Sequence, residues 1–532
     1  MLLPLIILLA SCILIPLTIR CLSGNLRAEK TPANAPDSGR LLPPGPRGLP
    51  ILGYLPFIGP NLHQDFMNLA LHYGPIFKLS LGRKLCVIVS SPALAKQIVR
   101  DHDVTFANRN PNVAAGVFSY GGRDIAFSPY GAEWRLLRKI FVHKMQSKQS
   151  MDSFYPLRRK EVRKMVAELY NGGGGGGGEV DVGRVAFTTV IGMISGMFWG
   201  GTLGNGDGDD DVAKVVGGEF RSTASKLVEV LGRPNVSDFF PILARFDLQG
   251  VKKEMKRVSG GMEKIFDFVI DRCIDDMMNK PRSDDDHNGQ QDFLHSLLEF
   301  KDQDTGNSIT RQQIKAMLMD IVIGGTDTSS TTIEWAMSEL IQHPEVKKIA
   351  QQELTRVIGP DSVMEESHIP NLPFLHAIVK ETLRLHPVAP LLLPRCPTKG
   401  CHVGGHFIPE GTKVFLNVWA MHRDPEFWED PTSFLPERFL NENDEQSTRS
   451  LDYLGGSFHY LPFGSGRRIC AGLPLGERMV MYVLATLLHM FDWELPEGVV
   501  ADTKEKFGVV LEKVNPLVLV SSPRLPNLSL YK

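Results

Sequence analysis

The segment Phe463-Gly464-Ser465-Gly466-Arg467-Arg468-Ile469-Cys470-Ala471-Gly472 carries a thiol at the end of a glycine-rich turn, and a helical run, 477–490, follows it. Such a turn surrounds sulfur with backbone N–H groups and a helix N-terminus, both of which stabilise a thiolate. A merely structural cysteine needs neither glycines at 464, 466 and 472 nor a cation two residues before the sulfur. A second polar group, Thr326-Asp327-Thr328, interrupts the apolar stretch 317–340 just after Gly324 and Gly325. Close helix packing accounts for the glycines but not for a carboxyl between two hydroxyls in such a run. Glu381 and Arg384 stand three apart on a predicted helix, where they share a face and can pair; alone, this is an ordinary solvated bridge. Trp134 and Arg138, four apart in 133–140, leave one helix turn in the same direction. By themselves they read as a surface cation–π contact.

These residues are scattered from 134 to 470, so one large fold must gather them. Thr310 and Gln313 have the spacing of a capping box and mark the start of the long apolar helix. Runs 76–81 and 85–89 look like short strands, whereas most of the remainder has helical periodicity, so the body is mainly α with a minor β region. A chain of 532 residues with 43% hydrophobic content can bury a large core, and length alone suggests several domains. The prolines of 41–50 fix φ and forbid a helix, which reads as a stiff spacer. The glycines of 172–178 and the acidic segment 204–211 have little apolar area to bury and read as disordered loops.

Leu2 to Ile19 contains no charged residue, and as a helix it would be about 27 Å long, enough for one bilayer span. It lacks a basic leader and exceeds the usual signal-peptide apolar core, which favours a retained anchor. Arg20, Arg27 and Lys30 follow, placing the rest of the chain on the cytosolic side. The expected organisation is a transmembrane anchor at 2–19, a hinge and spacer at 20–50, and one body at 51–532. With 58 basic and 60 acidic residues, no field gathers nucleic acid, which is excluded as a partner. Seven cysteines without paired spacing suit a reducing compartment. Cys396, Cys401, His402 and His406 make half a zinc pattern, but no second cysteine pair follows.

At each fixed position, Phe463, Gly466, Arg468, Cys470 and Gly472 resemble the haem-binding signature of the cytochrome P450 family. The resemblance runs from the proline-rich segment to the C-terminus and overrides the multi-domain expectation in favour of a single cytochrome P450 fold. It implies haem b as cofactor, with the Cys470 thiolate as the proximal iron ligand. Gly324 to Thr328 resembles the family's oxygen-activation motif, implying that Asp327 and Thr328 relay protons from a helix kink over the distal haem face. Glu381 and Arg384 would join Arg438, of Pro436-Glu437-Arg438-Phe439, in a structural network behind the haem. Trp134, Arg138, Arg395 and Arg468 would serve the haem propionates.

Within the family the sequence most resembles plant endoplasmic-reticulum members, and the group that includes the cotton cadinene hydroxylase, through segments 234–241, 244–250, 403–405 and 415–419. Family position implies a pocket walled by Val113, Val117, Phe118, Ile321, Gly325, Val388, Leu392, Phe507 and Val509. Such walls suit a neutral apolar molecule held by shape. The implied activity inserts one oxygen atom from O2 into a small plant metabolite, foremost by C–H hydroxylation of a sesquiterpenoid. Oxidation of a flavonoid ring or an aldoxime uses the same machinery, and a haem sensor without turnover has no use for Asp327 and Thr328. The sequence has no flavin or NADPH segment, so electrons come from a separate NADPH-cytochrome P450 reductase, with Arg135 and Lys139 as candidate contacts. The implied location is the endoplasmic reticulum membrane, single-pass, with the body in the cytosol.

Overall fold

The computed structural model describes residues 41–172, 178–203, 220–279, 292–302, 306, 308–440 and 451–532. The expected anchor at 2–19, most of the expected hinge, and nearly all of the two expected disordered loops lie outside the described residues. The proline-rich segment does not stand clear of the body. Lys78 N–H donates to Pro44 O at 2.8 Å and Phe407 N–H to Leu41 O at 2.9 Å, so the body already includes residues expected in the spacer. Proline stiffness here aligns carbonyls along a sheet edge, and a Cβ on Gly45 would stand 1.9 Å from Lys78 O, which leaves room only for glycine.

Helix α1 (Leu62–Tyr73) precedes strands β1 (Ile76–Leu81) and β2 (Lys84–Val89), the strands expected from the sequence. Next come helices α2 (Val113–Phe118), α3 (Ala132–Met145) and α4 (Tyr155–Gly172), strand β3 (Glu179–Asp181), and helices α5 (Val182–Leu203), α6 (Phe220–Leu231) and α7 (Val251–Asn279). Helices α8 (Arg311–Gln342), α9 (Pro344–Ile358) and α10 (Pro373–Leu385) lead to hairpin β4 (Cys401–Val403) and β5 (His406–Ile408), then β6 (Lys413–Leu416). Helix α11 (Leu473–Met490) is followed by β7 (Phe491–Glu494), β8 (Glu505–Lys506), β9 (Glu512–Lys513) and β10 (Val518–Pro523). β2 is the middle strand of one sheet, antiparallel to β1 and parallel to β6. β10 lies between β3 and β7, antiparallel to both, and β8 pairs β9 in a separate hairpin.

The centre of the molecule is α8, about 48 Å long at the usual rise. Its first turn is closed as the sequence predicts: Thr310 Oγ1 accepts from Gln313 N–H and Gln313 Oε1 from Thr310 N–H. Its apolar sides pack on α5 and α11. The part of α5 from Val182 to Gly200 is long and apolar enough to cross a membrane, but most of it is buried within the protein, which is the burial of a core helix. α11 begins four residues before the expected 477, because Pro474 occupies its first turn, where a missing N–H costs nothing.

Candidate active site

The cysteine loop is fixed at both ends. Cys470 N–H donates to Phe463 O at 3.0 Å, Gly464 and Gly466 adopt φ of 72° and 69°, and a Cβ on Gly466 would lie 2.2 Å from Val99 O. Asp103 receives the Arg467 backbone N–H and its guanidinium at 2.9 Å, tying the loop to the segment before α2. The Cys470 side chain is accessible yet lies deep in the protein, as a thiol facing an internal cleft does. Burial pushes this thiol up, while the N–H groups of Gly472 and Leu473 at the start of α11, with Arg138 between them in influence, pull the other way.

Around this loop the fold gathers arginines that are far apart in sequence. Arg138 donates to Ile469 O at 2.8 Å from α3 and lies 5.6 Å from the Trp134 ring; the Trp134 indole N–H in turn donates to Ile125 O. Arg468 spends its guanidinium on the carbonyls of Ala107, Ile125 and Ser128, and stacks over Trp134 at 4.5 Å. Arg395 donates to Ser465 O at 2.6 Å and approaches Asp103 at 3.5 Å. Burial pushes Arg395 and Arg468 each down to about 10, and their mutual repulsion adds to this at Arg468. A fourth member, Arg109, escaped the sequence reasoning. It donates to Leu393 O and Pro394 O, and burial together with Arg395 and Arg468 pushes it well down. Its Nε is buried without a hydrogen-bond acceptor, and Arg395 Nη1 is buried with only its ion-pair contact to Asp103 at 3.5 Å. A buried group of cations with spare donors is suited to an anion.

On α8 the helix runs continuously through 324–328, and here the hydroxyls bond back onto the preceding turn, a pattern that bends a helix: Thr326 Oγ1 donates to Val322 O and Thr328 Oγ1 to Gly324 O, at 2.6 and 2.7 Å. Gly324 and Thr328, four apart, share the open side, since no atom lies within 4 Å of a Cβ built on Gly324. A Cβ on Gly325 would stand 3.0 Å from Ile194 of α5, so helix packing, not the pocket expected from the sequence, explains that glycine. Asp327 is largely buried and is pushed up to about 7 by that burial, with the charge of Glu512 on β9 adding to it. α11 meets α8 close by, where a Cβ on Gly476 would lie 4.0 Å from Ser329 Oγ.

Glu381 and Arg384 form a fully buried bidentate pair at 2.7 and 2.8 Å, and Arg438 adds a third contact to Glu381 at 3.1 Å. Arg384 also donates to the carbonyls of His422, Pro431 and Ser433. The solvated bridge of the isolated pair is thus replaced by a buried network that ties α10 to the chain leading to the cysteine loop.

The expected pocket walls come together only in part. Phe118 and Ile321 are buried, Val117 is partly buried, and Val113 N–H is held by Asp238 at 2.7 Å. Val388 O accepts from Leu511 N–H at 2.9 Å, joining the segment after α10 to the β8–β9 hairpin. Leu392, at φ 50°, reaches toward Gly464 of the cysteine loop. Phe507 stacks on His63 at 5.6 Å and packs with the small core that includes Leu391, and Val509 abuts Gly232 after α6.

A profile of the cytochrome P450 family matches residues 43–520. The chain is 40% identical over 489 residues to flavonoid 3'-monooxygenase CYP75B137 of Crocosmia x crocosmiiflora, covering 91% of this chain and 93% of that protein. It is 37% identical over 491 residues to the flavonoid 3',5'-hydroxylase of Solanum melongena, with 91% of each covered, and 38% identical over 516 residues to cytochrome P450 76C4 of Arabidopsis thaliana, with 96% of each covered. The fold is similar to that of a zebra fish cytochrome P450 solved with progesterone, with a TM-score of 0.70 and 25% identity, over 87% of this chain and 100% of that one. Proteins of this kind are monooxygenases that use haem, O2 and NADPH-derived electrons delivered by a reductase. With the profile and these relatives spanning nine-tenths of its length, the chain belongs to the cytochrome P450 family.

Proposed function

We propose that this monooxygenase hydroxylates the aromatic ring of a flavonoid. The observation that carries this reading is the similarity, over nine-tenths of both chains, to flavonoid 3'- and 3',5'-hydroxylases. It displaces the sesquiterpenoid first expected from framework segments, since those segments are not pocket residues and apolar walls such as Phe118, Ile321 and Val388 accept a planar phenolic skeleton as readily as a terpene. The finer placement with the cotton cadinene hydroxylase group has no support in these relatives.

In this reading the Cys470 thiolate would hold the haem iron, and the haem, when bound, would supply oxygen activation. Arg109, Arg138, Arg395 and Arg468, with Trp134, would hold the propionates, a role supported by the buried group of cations, in which Arg109 Nε and Arg395 Nη1 make no hydrogen bond. Phe463, Gly466 and Gly472 shape the loop that presents the thiolate. Asp327, raised to about 7, gains and loses its proton near neutral pH, and Thr328 lies on the open side of α8, which suits proton delivery there. Glu381, Arg384 and Arg438 serve structure. Residues 2–19 anchor the chain in the endoplasmic reticulum membrane with the body in the cytosol, where a reductase meets it. The test is expression in microsomes with a plant reductase and NADPH, offering naringenin and a panel of sesquiterpenes and aldoximes, with products read by mass spectrometry. Naringenin gaining one or two oxygen atoms is the expected result, and turnover of sesquiterpenes alone overturns the flavonoid reading.

A further inference from the structure

Glu505 stands at the base of the β8–β9 hairpin, two residues before Phe507, and its carboxylate is almost fully enclosed. One oxygen lies 3.1 Å from His63 Nε2 and 3.3 Å from Gln64 Nε2 of α1. The other lies 3.4 Å from His386 Nδ1, 3.4 Å from the Trp419 indole N–H and 3.8 Å from Arg423. Both ring nitrogens of His386 face carboxylates, because its Nε2 is 2.6 Å from Glu339 on α8. His386 also stacks flat on Trp335 of α8 at 4.0 Å, and the Trp335 indole N–H donates to Leu511 O at the far side of the hairpin. One carboxylate therefore joins α1, the end of α10 and the segment around Trp419, and through His386 it is tied to α8. Burial alone would raise it, yet the donors His386 and His63 and the charge of Arg423 hold it below the usual carboxylate range.

Two groups of expected pocket walls leave directly from this knot: Val388 and Leu392 begin two residues after His386, and Phe507 and Val509 begin two residues after Glu505. The residue that follows Val510, Leu511, donates its N–H to Val388 O at 2.9 Å, which ties the two groups of walls together. We propose that Glu505 is a specificity-determining positioning residue, which sets the spacing of these two walls through His63, His386 and Arg423 without touching substrate. This rests on the reading that both segments line the substrate pocket. An ionised side chain held by four hydrogen-bonding partners and the charge of Arg423, from three parts of the chain, has one place it can sit, and that single place is what a shape-selecting wall requires.

Azole ligands test this without knowledge of the natural substrate, because imidazole needs only the iron whereas clotrimazole must also fit the walls. Full-length holoenzyme is titrated with each and the Soret shift is followed. Glu505→Gln should keep the parent haem content and imidazole affinity while clotrimazole binding weakens about tenfold. Should that variant fail to load haem, Glu505→Asp, which keeps the charge and withdraws it by one methylene, is read the same way. If either loaded variant binds clotrimazole like the parent while Val388→Ala weakens it, the walls stand and the role of Glu505 is overturned. If Val388→Ala and Phe507→Ala both bind clotrimazole like the parent, the pocket reading falls and takes the proposal with it.

Discussion

Asp124, in the loop before α3, and Asp320, on α8, are buried carboxyls whose protonation is linked, each raised by burial and Asp320 also by the charge of Asp124. Two facing carboxyls require a shared proton, and burial pushes Asp124 up to about 6 and Asp320 well above the ordinary range. Asp320 also receives the N–H groups of Ile125 and Ala126, so the pair fastens the loop carrying the Trp134 and Arg468 acceptor, Ile125 O, onto α8. The folded-state values lie above the unfolded ones. The stabilisation is therefore complete below about pH 4 and is lost as pH rises through about 6. Asp320→Asn should melt like the parent at pH 4 and about 2 °C above it at pH 8, and an unchanged difference at both pH values would refute the shared proton.

Asp327 gives a second pH signature. Its carboxyl, raised to about 7, is half protonated near neutrality. The turnover profile should show an inflection near pH 7 that disappears in Asp327→Asn, with turnover lowered on the order of tenfold to a hundredfold. Stopped assays of NADPH consumption against product should show Thr328→Ala uncoupled; full coupling in that variant removes Thr328 from the relay.

Cys470→Ser should abolish the thiolate-type spectrum of the reduced carbon monoxide complex. Retention of that spectrum removes Cys470 from the axial position.

Arg109→Leu should weaken haem retention while leaving the fold intact, because it removes one of several buried cations and not a core side chain. Competition with apomyoglobin for haem measures this, and unchanged transfer rates would place Arg109 outside the propionate site.

Glu381→Ala should cost about 3 kcal/mol or more, since it leaves Arg384 and Arg438 without their shared anion, Arg384 fully buried. Denaturant unfolding reads the loss, which should appear with the far-ultraviolet signal and not with turnover alone.

Much of the site was legible because its signals are local. The capping box at Thr310, the strands β1 and β2, and the glycine turn before Cys470 are each decided within a few neighbouring residues. Adjacent glycines defeated this approach at 324 and 325: one step along a helix turns the side chain by about 100°, and only the position of Ile194 reveals which of the two faces α5. Arg109 carried no periodic or motif signal, and its role depends on Arg395 and Arg468, hundreds of residues away. The Glu505 knot was hidden for the same reason, since its partners come from residues 63, 386, 419 and 423. The spacer was misjudged because stiffness in a sequence does not tell whether the stiff segment has a sheet edge beside it.

The contact from Arg468 to Ala107 joins residues 361 positions apart. At roughly 5–20 residues per second, a ribosome delivers that arginine about 20 to 70 seconds after the carbonyl it must cover. Until then the growing chain holds the acceptors at Ala107, Ile125 and Ser128 without their final donor. A message truncated shortly before Gly466 therefore yields a chain that contains α1 to α10 yet has no donor to close the loop before α3.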